Sequence, residues 1–404
     1  MFFSSIIKIR KEVINMVLKG IKLRIYPNQE QIEHIALNFG ANRFVWNQML
    51  DMIQQRYENN PESTFLSAYS LNYLLPQLKK EYSWLKLAES TALQATDHDL
   101  IEAFKGFFKH IRKQPKFKSK KFPKQSYQCK FISNNIALTD KHVIRLPKLG
   151  SVRYKSGQKI SGKIKAVTIR KSTTNKYYAV VLVECENQVF SKTKRQVGLD
   201  VGVSDLLITS DSVKYSTVRF DKNLERKKHY WEKRLARRRL LAIKDIHKQK
   251  KYGLIEPKSL DQYKNYQKAK IMVAKYSEKI SNQRKDYLHK ITTQLVHDYD
   301  TIVIEDIKTN NLLKNHNLAR AIANQSWRQL RLMLEYKCTW YDKQLVVIDP
   351  YKTSQICSNC GYDDGKHELD VRDWSCPNCH VHHDRDINAS KNILNKGLGQ
   401  ALVK

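Results

Sequence analysis

Three acidic residues, each placed where an apolar strand or a helix begins or ends, could do metal-assisted chemistry on a phosphate. In Gln196-Val197-Gly198-Leu199-Asp200-Val201-Gly202-Val203 the apolar residues alternate, so Gly198, Asp200 and Gly202 share the opposite face of a strand. Glycines there weaken the strand through backbone entropy and lost packing, which predicts that something approaches Asp200 closely; a metal ion and a phosphate would fit. Thr301-Ile302-Val303-Ile304 is a short β-branched run of the kind buried on both faces of a sheet, and it ends in Glu305-Asp306. Such strand ends are where α/β sheets place functional groups. Asp386, within His383-Asp384-Arg385-Asp386-Ile387-Asn388-Ala389, stands at the start of a helix. Three carboxylates so placed suit two Mg²⁺ ions ~4 Å apart across a scissile phosphate, one activating water for in-line attack and the other stabilising the leaving 3′ oxygen. Hard oxygen ligands select Mg²⁺ or Mn²⁺ over softer metals.

A second cluster is softer. Cys357-Ser358-Asn359-Cys360 is followed, fifteen residues on, by Cys376-Pro377-Asn378-Cys379. Paired CxxC knuckles at this spacing predict one structural zinc held by Cys357, Cys360, Cys376 and Cys379, with no open position for catalysis. His367, His380, His382 and His383 lie nearby as competing ligands, although the preferred reading leaves all four as exposed polar residues. The other cysteines, Cys129, Cys185 and Cys338, are scattered, and an odd total of seven argues against a secreted disulfide framework.

The elements that must position these groups can be read from periodicity. Ile21, Leu23 and Ile25 alternate with Lys22, Arg24 and Tyr26 as far as Pro27, the pattern of a half-buried strand. Asn28 and Gln31 form a capping pair for a helix along which Ile32, Ile35, Phe39, Trp46 and Met49 recur, and further helices are predicted over 69–81 and 89–112. Lys116-Phe117-Lys118-Ser119-Lys120-Lys121-Phe122 then interleaves basic and aromatic residues. Lys116, Lys118 and Lys121 suit phosphate contacts there, with aromatics free to stack on bases or sugars. Strands return over 143–146, 164–170 and 177–183, and with the first strand they predict a small β-barrel carrying the helical block in one connection. Leu206, Leu207 and Ile208 predict a hairpin partner for the Asp200 strand, turning at Ser210-Asp211-Ser212. Residues 222–290 read as a basic helical hairpin broken by Gly253 and Pro257, suited to nucleic-acid contact.

Lys and Arg number 73 against 39 Asp and Glu, a net charge of +34. So dense a positive field costs stability through self-repulsion, which points to a polyanionic partner. With 41% hydrophobic residues the chain also has an ordinary core, which excludes a disordered tail protein. The basic residues are spread along the chain, and no stretch is long and apolar enough for a membrane span, so no membrane role is expected. Met1-Phe2-Phe3-Ser4-Ser5-Ile6-Ile7 is a poor signal peptide, and residues 1–16 read as an N-terminal extension, with the natural start open between Met1 and Met16. The expected location is the cytoplasm of a prokaryote, on the nucleoid.

Taken in order, Arg24-Ile25-Tyr26-Pro27, Arg43-Phe44-Val45-Trp46-Asn47, Pro115-Lys116-Phe117-Lys118, Gly198-Leu199-Asp200-Val201-Gly202, Asn282-Gln283-Arg284, Ile304-Glu305-Asp306, Leu334-Glu335-Tyr336-Lys337, Thr353-Ser354-Gln355 and Asp384-Arg385-Asp386-Ile387-Asn388-Ala389 resemble TnpB. This is a transposon-encoded, RNA-guided DNA endonuclease family related to the type V CRISPR effectors. The resemblance implies an α/β multidomain fold in which an RNase H-like (RuvC) nuclease domain, residues 191–350 and 383–404, carries an inserted zinc ribbon over 351–382. It further implies a wedge β-barrel over 17–28 and 113–190 and a helical recognition domain over 29–112. Asp200, Glu305 and Asp386 would be the catalytic triad. A guide RNA from the transposon end and double-stranded target DNA would be the partners of a monomer, with Gln94 and Ser133-Asn134 at the surface that reads a short target-adjacent motif. His380 and Ser212 stand where the family often has Gly, and Ser390 where it often has Ala, which questions only local turn geometry. Two other classes stay open: a catalytically silent nucleic-acid-binding regulator, and a transposase acting on its own element's ends.

Overall fold

The computed structural model describes residues 16–122, 125–139, 141–253, 256–306, 326–368 and 371–401, so most of the expected N-terminal extension lies outside the described residues. The chain divides into two compact units, Met1–Glu186 and Asn187–Lys404.

In the first unit β1 (Met16–Tyr26) pairs antiparallel with β7 (Tyr177–Glu186) along almost its whole length, and with β5 (Gly150–Lys155) only over Arg24–Tyr26. Alternation puts Leu23 and Ile25 of β1 with Val181 and Val183 of β7 in a buried core. With β2 (Gln125–Lys130), β3 (Ala137–Thr139), β4 (Val143–Leu146) and β6 (Lys163–Lys171), the order is β2-β6-β7-β1-β5-β4-β3. Among the described residues the sheet stays open between β3 and β2, so the expected barrel is a half-barrel. Closure would need β3, three residues long, to reach β2, while the β5-β4-β3 half joins β1 at one end only. Periodicity missed β2, β3 and β5, whose polar, short sequences carry little alternation.

Three helices lie in the chain between β1 and β2: α1 (Gln29–Asn59), α2 (Ala68–Glu81) and α3 (Ser90–Phe108). The α1 cap is the reciprocal box read from sequence: the Gln31 amide donates to Asn28 Oδ1 at 2.8 Å, and the Asn28 amide donates to Gln31 Oε1 at 3.0 Å. Helix α3 stops four residues before the expected end, where the amides of Ile111 and Arg112 both fold back to the Gly106 carbonyl and His110 takes φ +56°.

The second unit is built on β8 (Gln196–Asp200), β9 (Asp205–Thr209), β10 (Lys214–Ser216), β11 (Thr301–Glu305) and β12 (Gln344–Ile348), in the order β10-β9-β8-β11-β12. β8, β9 and β10 are antiparallel neighbours, whereas β11 runs parallel to both β8 and β12. A parallel return from β8 to β11 requires a long crossover. The basic hairpin supplies it as α4 (Phe220–Lys251) and α5 (Lys264–Asp298), with Gly253 at φ +72° after α4. Helix α6 (Trp327–Trp340) covers the sheet together with α5, burying Leu288, Ile291, Leu295, Leu330 and Leu334 against Leu199 and Ile302. Lys337 docks the two helices: its buried ammonium donates to the His289 carbonyl and to Thr292 and Thr293 hydroxyls, and burial lowers its pKa to about 8. The small hairpin β13 (Asp373–Ser375) and β14 (His382–Asp384) leads straight into α7 (Arg385–Ala401). Among the described residues no helix is long and apolar enough to cross a membrane.

Candidate functional site

Register sets the first two carboxylates side by side. Leu199 of β8 faces Ile304 of the parallel β11, so the next residues, Asp200 and Glu305, leave the two central strands at the same end. Helix α7 brings the third. It lies so close to the sheet that a Cβ on Gly198 would stand 2.1 Å from the Ser390 carbonyl oxygen, and a Cβ on Gly397 would stand 2.3 Å from a Val303 methyl. This corrects the reading of Gly198: the helix backbone, and not a metal or phosphate, needs its bare surface. The close seating carries Asp386, in the first turn of α7, near enough to repel Asp200. Asp384 caps that turn, its Oδ1 accepting from the amides of Asp386 at 3.0 Å and Ile387 at 3.1 Å, and its Oδ2 pairs with Lys214 at 2.5 Å.

Burial first, and then repulsion from Glu305 and Asp386, push the Asp200 carboxyl up to about 8. Glu305 is also raised by burial, opposed by a 2.5 Å hydrogen bond from the Thr353 hydroxyl to Oε1 and by Lys396. Arg372 reaches Asp386 at 3.5 Å. An enclosed, self-repelling set of oxygen donors fits a hard divalent cation, which would relieve the repulsion that the protein leaves in place. The acids are not packed as one ion's shell. Among the described residues, the four cysteines are the only group of three or more ligating side chains whose ligand atoms all lie within 4.8 Å of one another.

That thiol cluster fits zinc closely. Zn–S bonds of ~2.3 Å in a tetrahedron give S···S edges of ~3.8 Å. Cys357 and Cys379 Sγ are 3.7 Å apart, and Cys360 and Cys376 Sγ are 3.6 Å apart. The two knuckles mirror one another. Asn359 donates to Cys379 Sγ and Asn378 to Cys360 Sγ, each at 3.6 Å, while Gly361 (φ +77°) and His380 (φ +56°) make the same left-handed turn after each second cysteine. His380 thus keeps the turn expected of glycine. Ser212 does likewise at φ +65°, and Ser390 is accommodated fully buried, its hydroxyl on the Ile387 carbonyl at 2.7 Å. Of the four histidines, His380 and His382 are exposed as expected and His367 is half-buried. His383 is a correction. It is 7% exposed, packs on Trp374 across the β13–β14 pair, and sets Nε2 3.0 Å from Cys357 Sγ.

Sequence reasoning also missed the stitching between the thiol cluster and α7. Asn388 Nδ2 donates to the Ile356 carbonyl at 2.8 Å and its Oδ1 accepts from the Ser358 amide at 2.8 Å, while Asn392 Nδ2 donates to the Thr353 carbonyl at 2.9 Å. The available signal was the i, i+4 pair of amides, Asn388 and Asn392, on one face of the helix.

In the first unit, Gln94, Lys116, Lys121, Ser133 and Asn134 are exposed, with Ser133 (φ +47°) and Asn134 (φ +57°) forming a left-handed turn. Lys118 is held differently. It is exposed like the others, but its ammonium sits 3.4 Å from the centroid of the Trp46 ring, and Asn47 brackets its backbone with bonds of 2.7 and 3.1 Å.

Fold and site together define a two-unit α/β protein in which a thiol cluster fit for zinc stands beside hard oxygen donors at the ends of two parallel strands. A family model described as "Probable transposase" matches residues 180–316, one described as "Helix-turn-helix domain" matches residues 16–62, and one described as "Cas12f1-like, TNB domain" matches residues 327–393. Over 16–62 the structure has a strand and one 31-residue helix in place of two short helices. A Streptomyces pristinaespiralis protein named "Putative RNA-guided DNA endonuclease" is 32% identical over 96% of this chain and 91% of its own length. One from Escherichia coli, "Putative RNA-guided DNA endonuclease InsQ", is 29% identical over 94% and 92%. A solved Cas12f1–sgRNA–target DNA complex is similar at TM-score 0.47 and 14% identity, covering 94% of this chain and 99% of that one. The chain belongs to the TnpB family of transposon-associated proteins.

Proposed function

We propose that the chain is an RNA-guided, Mg²⁺-dependent endonuclease that cuts double-stranded DNA beside a short motif. The observation that carries this is the convergence of Asp200, Glu305 and Asp386 from two adjacent parallel strand ends and one helix start, with Asp200 driven up to about 8 by enclosure and by its two neighbours. The β10-β9-β8-β11-β12 order, three antiparallel strands continued by two parallel ones, supports an RNase H-like (RuvC) nuclease domain into which the zinc ribbon is inserted. In this reading Asp200, Glu305 and Asp386 hold two Mg²⁺ ions, which supply a water nucleophile and charge stabilisation to in-line hydrolysis of a phosphodiester. Cys357, Cys360, Cys376 and Cys379 hold one structural Zn²⁺.

The protein's own residues then bind and orient. The charge of +34 favours a guide RNA and a DNA duplex at once. Gln94, Ser133 and Asn134 contact the target-adjacent motif, and Lys116, Lys118 and Lys121 the backbone. The complex works as a monomer in the cytoplasm of a prokaryote.

The test is Mg²⁺-dependent cleavage of a plasmid library after co-expression with RNA from the neighbouring genomic end carrying a chosen guide. Cutting at the guide-matched site, lost in Asp200→Ala, Glu305→Ala and Asp386→Ala with RNA binding retained, is the expected result. Cutting that ignores the guide, or near-normal cutting by any of the three variants, would overturn it.

A further inference from the structure

We infer that Thr353 is a positioning residue for Glu305, held in place by Asn392 of the helix that carries Asp386; this rests on the reading of Glu305 as a cation ligand. Thr353 and Glu305 are 6% and 9% exposed, and the Thr353 hydroxyl donates to Glu305 Oε1 at 2.5 Å. A hydroxyl has one proton to give. The other oxygen in its reach, the Pro350 carbonyl, is at 3.3 Å, so the bond to Glu305 takes it.

A glutamate at a strand end has three side-chain torsions that burial alone does not fix. A donor on Oε1 fixes them and leaves Oε2 as the oxygen presented to a cation. Thr353 lies on no regular element of its own, so it too needs an anchor. Asn392 supplies one, donating to the Thr353 carbonyl at 2.9 Å and to the Ile356 carbonyl at 2.5 Å. Asn388, one turn earlier, holds Ile356 and Ser358 at the entrance to the first knuckle. One helix therefore carries Asp386 and, through Asn392 and Thr353, sets the rotamer of Glu305. Outer partners of ligating carboxylates typically change metal affinity by about 10- to 100-fold when removed.

The experiment compares Thr353→Val, which keeps the shape and removes the donor, with Thr353→Ser, which keeps the donor, in the guide-RNA complex. Thr353→Val is expected to raise the Mg²⁺ concentration for half-maximal cleavage by about 10- to 100-fold, with rate recovered at high Mg²⁺, while Thr353→Ser stays near wild type. In protein without RNA, the rise in melting temperature on adding Mn²⁺ should shrink in Thr353→Val and persist in Thr353→Ser, with one zinc per chain in both. Should Thr353→Val lose its zinc, Asn392→Asp, which turns a donor into an acceptor against two carbonyls, carries the same test. A wild-type Mg²⁺ dependence and Mn²⁺ response in Thr353→Val or Asn392→Asp would overturn the inference while Glu305→Ala remains inactive. Full cleavage by Glu305→Ala would instead overturn the reading on which it rests.

Discussion

The four thiols and the three carboxylates of the second unit are both anionic donor sets, yet they are assembled on different scales. The thiols come from two copies of one local motif, each of which makes its own turn, and the edges of 3.7 and 3.6 Å between the knuckles join cysteines only 22 and 16 residues apart. The carboxylates come from Asp200, Glu305 and Asp386, joined only when β8 and β11 pair in register and α7 seats its backbone on Gly198. A donor set closed by local turns can be complete before its ligand arrives, whereas one closed by topology depends on everything between its members. The two should therefore fail separately. If Asp200 holds Mg²⁺ as proposed, Asp200→Asn would remove several kcal/mol of charge stabilisation and should slow cleavage on the order of a thousandfold, with zinc still at one per chain. Cys376→Ser should lose the zinc and lower the melting temperature of the second unit by an amount worth several kcal/mol. Metal analysis and melting of the two variants check this, and an Asp200→Asn protein without zinc would break the comparison.

The same contrast explains what could be read in the sequence. Cys357, Cys360, Cys376 and Cys379 announce themselves by the spacing within each CxxC pair, and the Asn28–Gln31 cap by its own three-residue spacing. Asp200 and Glu305 were legible through strand patterns. Their adjacency was not, since it depends on the pairing of Leu199 with Ile304, with two further strands and both basic helices between them in the chain. Thr353 gave no signal as the partner of Glu305, which lies 48 residues away. His383 was misread because its burial is decided by the cross-strand contact with Trp374 and not by its own polar neighbours. Gly198 was read correctly as a site of close approach, but periodicity carries no information about which element approaches.

The first unit offers a control for the carboxylates. Asp97 is fully buried on α3, neither of its oxygens has a hydrogen-bond partner, and burial alone raises it to about 8, the value that Asp200 reaches with help from two acidic neighbours. In both, the folded state keeps a proton that the unfolded chain has lost above pH ~4. For Asp97 this contribution is fully present below that pH and is lost as pH rises toward 8. Asp97→Asn, which mimics the protonated acid, should be more stable than wild type by about 1–3 kcal/mol at pH 8 and close to it at pH 4. Urea unfolding at the two pH values measures this, and an equal pH slope in variant and wild type would remove Asp97 as the cause. Adding Mn²⁺ should leave the difference unchanged, because among the described residues no acidic neighbour contributes to the Asp97 shift.

The smallest effect tests the local half of the comparison. Gly361 and His380 occupy the same left-handed position in the two knuckles, at φ +77° and +56°. A residue with a Cβ is strained there by about 1 kcal/mol, while glycine loses somewhat more backbone freedom on folding. His380→Gly should therefore stabilise the second unit by about 0.5 kcal/mol, and Gly361→Ala should destabilise it by about 1 kcal/mol. A Cβ at Gly361 would meet nothing within 4 Å, so any loss in Gly361→Ala is backbone strain and not a clash. Thermal melts with zinc bound separate the two signs. Opposite signs mean that each knuckle closes by its own turn, as the mirrored geometry requires. Equal signs mean that the His380 side chain contributes more than its backbone strain costs, and the knuckles are then alike in shape but not in what holds them.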